Sequence, residues 1–138
     1  MEITLWNLQE TVSLHTRKIK TIIRKVLKGE GVKKSGWINV CFVNDAQITK
    51  FNTKFHNTKS STDVLAFNLS NKKDGNFLLA DIIVSAQTAL RQAHQLKTTP
   101  DFELSLYVVH GILHILGFND HTNAQIKLMR KKEKQYVH

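Results

Sequence analysis

Residues 108–121 read VVHGILHILGFNDH, an almost unbroken apolar run that carries histidines at positions 110 and 114. Pro100 precedes this run and Gly117 interrupts it, so the pattern predicts a helix from Pro100 to about Leu116. Because apolar residues lie on nearly every side of this helix, it is expected to be buried. Two polar imidazole rings on a buried helix need partners, which makes this segment the candidate functional site.

His110 and His114 stand four residues apart, which places both imidazole rings on one helix face, one turn apart. One metal ion could bind both rings. Gly117 allows the chain to reverse after the helix, so that Asp120 or His121 could return as a third ligand. Three protein ligands and one open position are typical of catalytic zinc sites, so the segment predicts a metal site.

The rest of the chain alternates between strand and helix patterns. Strands are predicted at residues 2–6, as a short edge strand, and at 37–43, 64–69 and 77–84. The turn between the last two contains Asp74-Gly75, so residues 64–84 should form a β-hairpin. Further helices are predicted around residues 19–27, from 44–45 over Ile48 and Phe51, from Ser85 to about Leu96 and from Thr122 to about Tyr136, with residues 52–63 as a loop.

The composition is that of a globular protein. The chain has 138 residues, 41% hydrophobic and 22% charged, which indicates a single domain over residues 1–138. No apolar stretch approaches the roughly 20 residues that cross a bilayer, and the segment Met1–Thr4 lacks the pattern of a signal peptide. A cytoplasmic protein without membrane contact is therefore expected. Cys41 is interpreted as a small buried hydrophobe.

The chain is also strongly basic, with 20 Lys and Arg against 11 Asp and Glu, a net charge of +9 and a pI near 9.8. This charge favours a polyanionic partner, most simply nucleic acid, although a solvated basic surface would also explain it. Four cations of the last predicted helix follow helical spacing and could track an RNA backbone: Lys127, Arg130, Lys131 and Lys134. A solvated helix face is the alternative for them.

Position 111 separates this pattern from that of metallopeptidases. The H-E-x-x-H motif places a glutamate general base after the first histidine, where this chain has Gly111. Metal-assisted attack on an RNA phosphate, by hydroxide or by the ribose 2′-OH, needs less help from an adjacent carboxylate. Glu103 lies on about the same helical face as His110, and it is interpreted as a solvated residue, with a supporting partner of the metal site as the alternative.

Three ordered motifs carry a resemblance to a known family. His110–Phe118 reads HGILHILGF and resembles the signature H-G-x-L-H-L-x-G-Y-D-H. Thr62–Phe67, TDVLAF, resembles T-D-V-L-S-F, and Leu79–Ser85, LADIIVS, resembles L-G-D-I-x-I-S. The order and spacing of the motifs also match, so the chain resembles the YbeY endoribonucleases over roughly residues 37–136.

The resemblance implies a small α/β (α+β) fold in which helices pack against a four-stranded mixed sheet and a zincin-like helix binds the metal. It implies metal-dependent cleavage of single-stranded RNA, with one zinc ion per chain as the usual metal. The implied role is 3′-end maturation of small-subunit (16S) rRNA and ribosome quality control. An rRNA precursor and the small ribosomal subunit are the implied partners.

Two positions depart from the family pattern, and the first concerns the metal. The third ligand of the signature lies ten residues after the first histidine, where this chain has Asp120, and His121 follows one position later. Asp120 is the favoured ligand because it keeps the register and carboxylate oxygen is a normal zinc ligand, with His121 as the alternative. A carboxylate also shifts the preference toward harder metals such as Mn²⁺ or Mg²⁺.

The second departure lies before the TDVLAF motif. The family often has Y-R-G-K there, with an arginine thought to hold the scissile phosphate, and His56 takes that place in this chain. We interpret His56 as a candidate general acid or base, with an ordinary loop histidine as the alternative. Lys54 or Lys59 could supply the lost positive charge.

Two other functions stay open at this point. One is a metal-dependent peptidase or amidase, against which Gly111 argues. The other is a non-catalytic ribosome-binding protein with a structural metal. The second would follow if Asp120 and His121 both bound the metal, because four protein ligands close a tetrahedral site.

Overall fold

The computed structural model describes residues 1–56, 62–70 and 75–138. Within these ranges the chain forms four strands and five helices. The strands are β1 (Glu2–Asn7), β2 (Ser35–Val43), β3 (Val64–Asn68) and β4 (Phe77–Ser85). The helices are α1 (Thr16–Gly29), α2 (Asp45–His56), α3 (Ala86–Leu96), α4 (Pro100–Ile115) and α5 (Asn123–Tyr136).

The strands form a mixed sheet in the order β1-β2-β4-β3. β1, β2 and β4 run parallel, in registers that pair Glu2 with Trp37 and Trp37 with Leu79. β3 runs antiparallel to β4 and pairs Phe67 with Asp81, so the predicted hairpin is confirmed. The predicted four-stranded mixed sheet, with β1 at one edge, is therefore present.

Helix α4 lies at the centre of the packing because it is apolar on nearly all sides. It contacts α1, α3, α5 and the strands β3 and β4. The main buried cluster includes Ile38 and Val40 of β2 and Ile82 of β4, which alternate along their strands with residues of the opposite sheet face. A smaller cluster lies on that opposite face beneath α2 and consists of Val43, Ile48, Leu65 and Ile83. The predicted burial of the helix that carries the histidines is confirmed.

Gly111 sets the distance between α4 and the sheet. A Cβ atom added at this position would lie 2.9 Å from Cγ2 of Ile82 and 3.2 Å from Cγ2 of Val64. Ile82 is fully buried, so its side chain has no free space into which it could move. Glycine therefore permits this close packing, and a glutamate at the same position would displace the helix from the sheet.

Two predicted helix starts are confirmed by their side-chain caps. Oγ of Ser85 accepts a hydrogen bond of 3.1 Å from the backbone N–H of Thr88 at the start of α3. Thr122 and Gln125 form a capping box at the start of α5. Among residues 1–56, 62–70 and 75–138, no helix combines the length and the apolar character that a membrane span requires. The assignment of residues 1–138 to one domain stays a prediction.

Three expectations about the sheet face under α2 are wrong. Helix α2 continues to His56, so residues 52–56 are helical and not part of a loop. Its inner face carries Ile48 and, one turn later, the buried Asn52, whereas Phe51 is exposed. Cys41 is half-buried, because it lies on the side of β2 that α2 covers only in part.

Candidate metal centre

Helix α4 places His110 and His114 on one face, one turn apart, near its C-terminal end. Their Nε2 atoms lie 2.9 Å apart, and the ring centroids are 4.5 Å apart. The side chains are 23% and 28% exposed, so both rings are largely buried but keep some access to solvent. The two imidazoles therefore converge on one point and are held there by a helix that the core fixes in place.

The turn after α4 returns the chain to these histidines. The N–H of Gly117 donates to the carbonyl oxygen of His114, and the N–H of Phe118 donates to that of Leu113. Gly117 has a φ of 101°, a value that favours glycine, and this allows the reversal. Three residues later, Asp120 lies beside both imidazole rings.

Asp120 completes a triangle of donor atoms. Its Oδ2 lies 3.5 Å from Nε2 of His110 and 3.4 Å from Nε2 of His114. Ligand atoms at about 2 Å from a tetrahedral zinc ion lie about 3.3 Å from one another. The three distances of 2.9, 3.4 and 3.5 Å are close to this value, so the residues fit a divalent metal ion. In the part of the chain that the structure describes, no other group of His, Cys, Asp or Glu has this arrangement.

His121 does not join this triangle. Its side chain is exposed, and its backbone N–H donates to Oε1 of Gln125 at 3.1 Å. The same oxygen accepts a hydrogen bond from the N–H of Thr122, at the start of α5. The fold thus brings Asp120, and not His121, to the histidine pair. The ligand roles of all four residues stay predictions.

A carboxylate of α5 contacts His110 at Nδ1, the ring nitrogen that does not belong to the triangle. Oε1 of Glu133 lies 3.2 Å from Nδ1 of His110. Burial alone would lower the pKa of His110, but the hydrogen bond and charge of Glu133, with the charges of Asp63 and Asp120, raise it above its usual value. Glu133 was not predicted from the sequence. Its spacing of four residues from the inward-facing Met129 was the signal that could have found it.

Glu103 lies away from the triangle and is buried, so the expectation of a solvated residue is wrong. Its Oε2 accepts a hydrogen bond of 2.8 Å from Oγ1 of Thr98, which precedes α4. Oδ1 of Asp81 accepts a hydrogen bond of 3.1 Å from Nδ2 of Asn39. Both carboxylates are hydrogen-bonded to groups outside the triangle.

The four basic residues predicted on the last helix are exposed on one face of α5, which we call the basic face of α5: Lys127, Arg130, Lys131 and Lys134. With Ala124 and Leu128 they line a groove of about 660 Å³. Arg130 also lines a cavity of about 190 Å³ together with His110, Asp120 and Glu133. The basic face of α5 therefore begins at the candidate metal centre.

The other predicted contacts lie at and beyond the end of α2. Lys54 is exposed in the last turn of this helix. His56 is its last residue, but the side chain of His56 lies outside the described part of the structure. Lys59 falls outside the described residues altogether. The roles of His56, Lys54 and Lys59 stay predictions.

A buried helix with a histidine pair, completed by a carboxylate from the following turn and packed on a mixed sheet, defines a small α/β protein with a candidate metal centre. The family model YbeY, described as Endoribonuclease YbeY, matches residues 4–138. The chain therefore belongs to the YbeY endoribonuclease family, and the resemblance seen in the three sequence motifs is confirmed.

Individual relatives agree with this assignment. The chain is 33% identical over 140 residues to a protein named Endoribonuclease YbeY from Petrotoga mobilis, with 100% of this chain and 94% of the relative covered. It is 30% identical over 145 residues to the protein of the same name from Pelotomaculum thermopropionicum, with 99% and 95% covered. The solution structure of a Thermotoga maritima protein, 26% identical, matches with a TM-score of 0.63 over 96% of this chain and 86% of that one.

Proposed function

We propose that this protein is a metal-dependent endoribonuclease that cleaves single-stranded RNA. The observation that carries this proposal is the triangle of His110, His114 and Asp120 in a chain of the YbeY family. Its place is the cytoplasm, and its substrate is an rRNA precursor. It matures the 3′ end of small-subunit (16S) rRNA and takes part in ribosome quality control at the small ribosomal subunit.

In the proposed mechanism, His110, His114 and Asp120 hold one divalent cation. When bound, the cation supplies Lewis-acid activation of the attacking oxygen and of the phosphate. The core packing of α4 and the turn at Gly117 preorganise the donor atoms. Arg130 lines the adjoining cavity, so its guanidinium can bind a phosphate oxygen and offset the negative charge of the substrate.

Zinc is the proposed metal, with one ion per chain. Two imidazole nitrogens and one carboxylate oxygen form a normal donor set for zinc. Because carboxylate oxygen also suits harder ions, Mn²⁺ and Mg²⁺ are the proposed competitors.

The proposed RNA contacts form two groups. The first is the basic face of α5, which is exposed and begins at the metal-site cavity. The second comprises Lys54 and Lys59 as phosphate contacts and His56 as general acid or base. The net charge of +9 supports binding of a polyanion by phosphate contacts.

Cleavage assays with matched variants test the proposal. Zinc-reconstituted wild type is incubated with an end-labelled single-stranded RNA and with the duplex of the same sequence. His114→Ala, Asp120→Ala and His121→Ala are purified in the same way, so that they also report contaminating nuclease. Bound metal is measured in each sample by elemental analysis.

The wild type and His121→Ala are expected to hold one zinc ion and to cleave the single strand in preference to the duplex. His114→Ala and Asp120→Ala are expected to lose zinc and to lose at least about 100-fold in rate. Equal cleavage by wild type and His114→Ala would contradict the proposal. Loss of zinc in His121→Ala, with zinc retained in Asp120→Ala, would make His121 the third ligand.

No specific observation favours the other two functions. The metallopeptidase pattern places its glutamate general base directly after the first histidine, and the close packing at Gly111 leaves no space for a glutamate side chain at that position. A closed structural site would need a fourth protein ligand, and His121 lies outside the triangle.

A further inference from the structure

Glu133 is a buried carboxylate whose ion-pair partner, within the described ranges, is His110. Its side chain is 11% exposed, and its Oε1 lies 3.2 Å from Nδ1 of the imidazole. The preceding residue, Lys132, pairs instead with Glu30 at 3.1 Å. A buried carboxylate destabilises a protein unless it is hydrogen-bonded to a suitable partner, and for Glu133 that partner is His110.

This contact determines which nitrogen of His110 is free. An ionised carboxylate can only accept hydrogen bonds, so Nδ1 of His110 must carry the proton that it donates to Glu133. In the neutral ring, Nε2 then has the lone pair. Nε2 is also the atom that lies 2.9 Å from His114 and 3.5 Å from Asp120, so the lone pair is directed into the triangle.

His114 has no equivalent support among the residues that the structure describes. Its recorded contacts, with His110 and with Asp120, are made through Nε2. The helix that carries Glu133 is itself well anchored, because Met129 and Tyr136 of α5 are buried on either side of it in the sequence. Docking of α5 therefore brings a carboxylate to one of the two histidines and not to the other.

We propose that Glu133 is a positioning residue that fixes the ring orientation and the Nδ1–H tautomer of His110 and thereby strengthens metal binding. This inference rests on the proposed metal centre and extends it to α5. Carboxylate–histidine–metal arrangements of this kind contribute about 10- to 100-fold to metal affinity in other sites.

The test measures the zinc dissociation constant of the full chain by competition with a chromogenic chelator. The samples are wild type, Glu133→Gln and Glu133→Leu. Glutamine keeps an acceptor for Nδ1–H without the charge, and leucine removes both. Glu103→Gln is the matched control, because Glu103 is also a buried glutamate but contacts Thr98 and not the triangle. The melting temperature of each metal-free variant is measured in parallel.

The dissociation constant is expected to rise by about 10-fold in Glu133→Gln and by about 100-fold in Glu133→Leu, and to stay at the wild-type value in Glu103→Gln. In zinc-loaded wild type, the Nδ1 proton of His110 should give a strongly downfield resonance, which Glu133→Leu lacks. If Glu133→Leu does not fold, Glu133→Gln decides the question.

A purely structural Glu133 would lower the melting temperature of the metal-free variants and leave the zinc dissociation constant unchanged. That result would overturn the positioning role while the metal centre stands. A wild type that binds no zinc would overturn both the metal centre and the role of Glu133.

Discussion

Oγ of Ser85 donates a hydrogen bond of 2.7 Å to Oδ1 of Asp45, and this bond ties the start of α3 to the start of α2. Oγ1 of Thr88 donates to the same oxygen, and the guanidinium of Arg91 pairs with the second oxygen of Asp45. Asp45 thus links the end of β4 to α2, the helix that ends at His56. Its carboxylate is expected to affect stability more than catalysis.

Asp45→Asn should destabilise the protein in a pH-dependent way. Burial alone would raise the pKa of Asp45, but hydrogen bonds from Arg91, Ser85 and Thr88 outweigh burial and hold the pKa below its usual value. Such a carboxylate contributes stability that is complete above its unfolded pKa, near 3.9, and is lost as the pH falls through the folded value. The expected loss is about 1–2 kcal/mol at pH 7 in urea unfolding. The difference from wild type should shrink toward about pH 3, and a constant difference would contradict the assignment.

Gly111→Ala should destabilise the protein through the contact with the sheet. Alanine gains about 1 kcal/mol in helix propensity, whereas forcing a methyl group against Ile82 costs about 1–3 kcal/mol, so a net loss of about 1 kcal/mol is expected. Gly75→Ala is the control, because a Cβ atom there meets nothing within 4 Å. The free energy of unfolding in urea checks this, and a stabilised Gly111→Ala would show that the sheet yields.

Gly117→Ala should weaken metal binding as well as stability. The φ of 101° at Gly117 is strained for alanine, and relaxation of this turn would move Asp120 away from the histidine pair. Gly31→Ala provides a matched control, since Gly31 also has a positive φ, 71°, but ends the turn after α1. Both variants should lose about 1 kcal/mol in stability, and only Gly117→Ala should have a raised zinc dissociation constant. Equal zinc affinity in both variants would argue against this role of the turn.

Residues of the basic face of α5 should separate into two effects on RNA cleavage. Arg130 lines the cavity of the metal centre, so Arg130→Gln should lower kcat, whereas Lys134→Gln should mainly raise KM. Each lost phosphate contact should also reduce the salt dependence of single-strand binding by about 0.7 in the log–log slope. Lys20→Gln, an exposed cation of α1, is the control and should change neither quantity. An unchanged salt-dependence slope in Lys134→Gln would show that the basic face of α5 does not bind the RNA backbone.

Much of the fold followed from local sequence patterns. The β3–β4 hairpin, the caps at Ser85 and Thr122, and the burial of α4 each depend on residues close together in the chain, although Asp74 of the predicted turn lies outside the described residues. The end of α2 did not follow from such a pattern, because residues 52–56 are mostly polar and, among the side chains described there, the buried one is the polar Asn52. A local pattern of polar residues cannot distinguish such a helix from a loop.

The candidate site likewise contains some residues that local sequence patterns predict and others that depend on the whole fold. The spacing of His110 and His114 and the register of Asp120 are local, and the structure brings these side chains together. Glu133 reaches His110 from 23 residues away, on a helix whose angle of approach depends on the whole core. Glu103 was predicted to be exposed but is buried, because helical spacing alone does not show which neighbouring elements cover a given face of the helix.

The short span of the candidate ligands has a thermodynamic consequence. His110, His114 and Asp120 lie within ten residues of one another in the chain, so closing a chelate ring among them costs little entropy even when the rest of the protein is unfolded. The denatured chain is therefore expected to be a weak chelator itself, and zinc bound to it would oppose the stabilisation that the proposed metal centre gives to the native state. Melting temperatures measured with zinc should consequently underestimate the affinity of the folded centre for zinc. Chelator competition on the native protein measures that affinity directly.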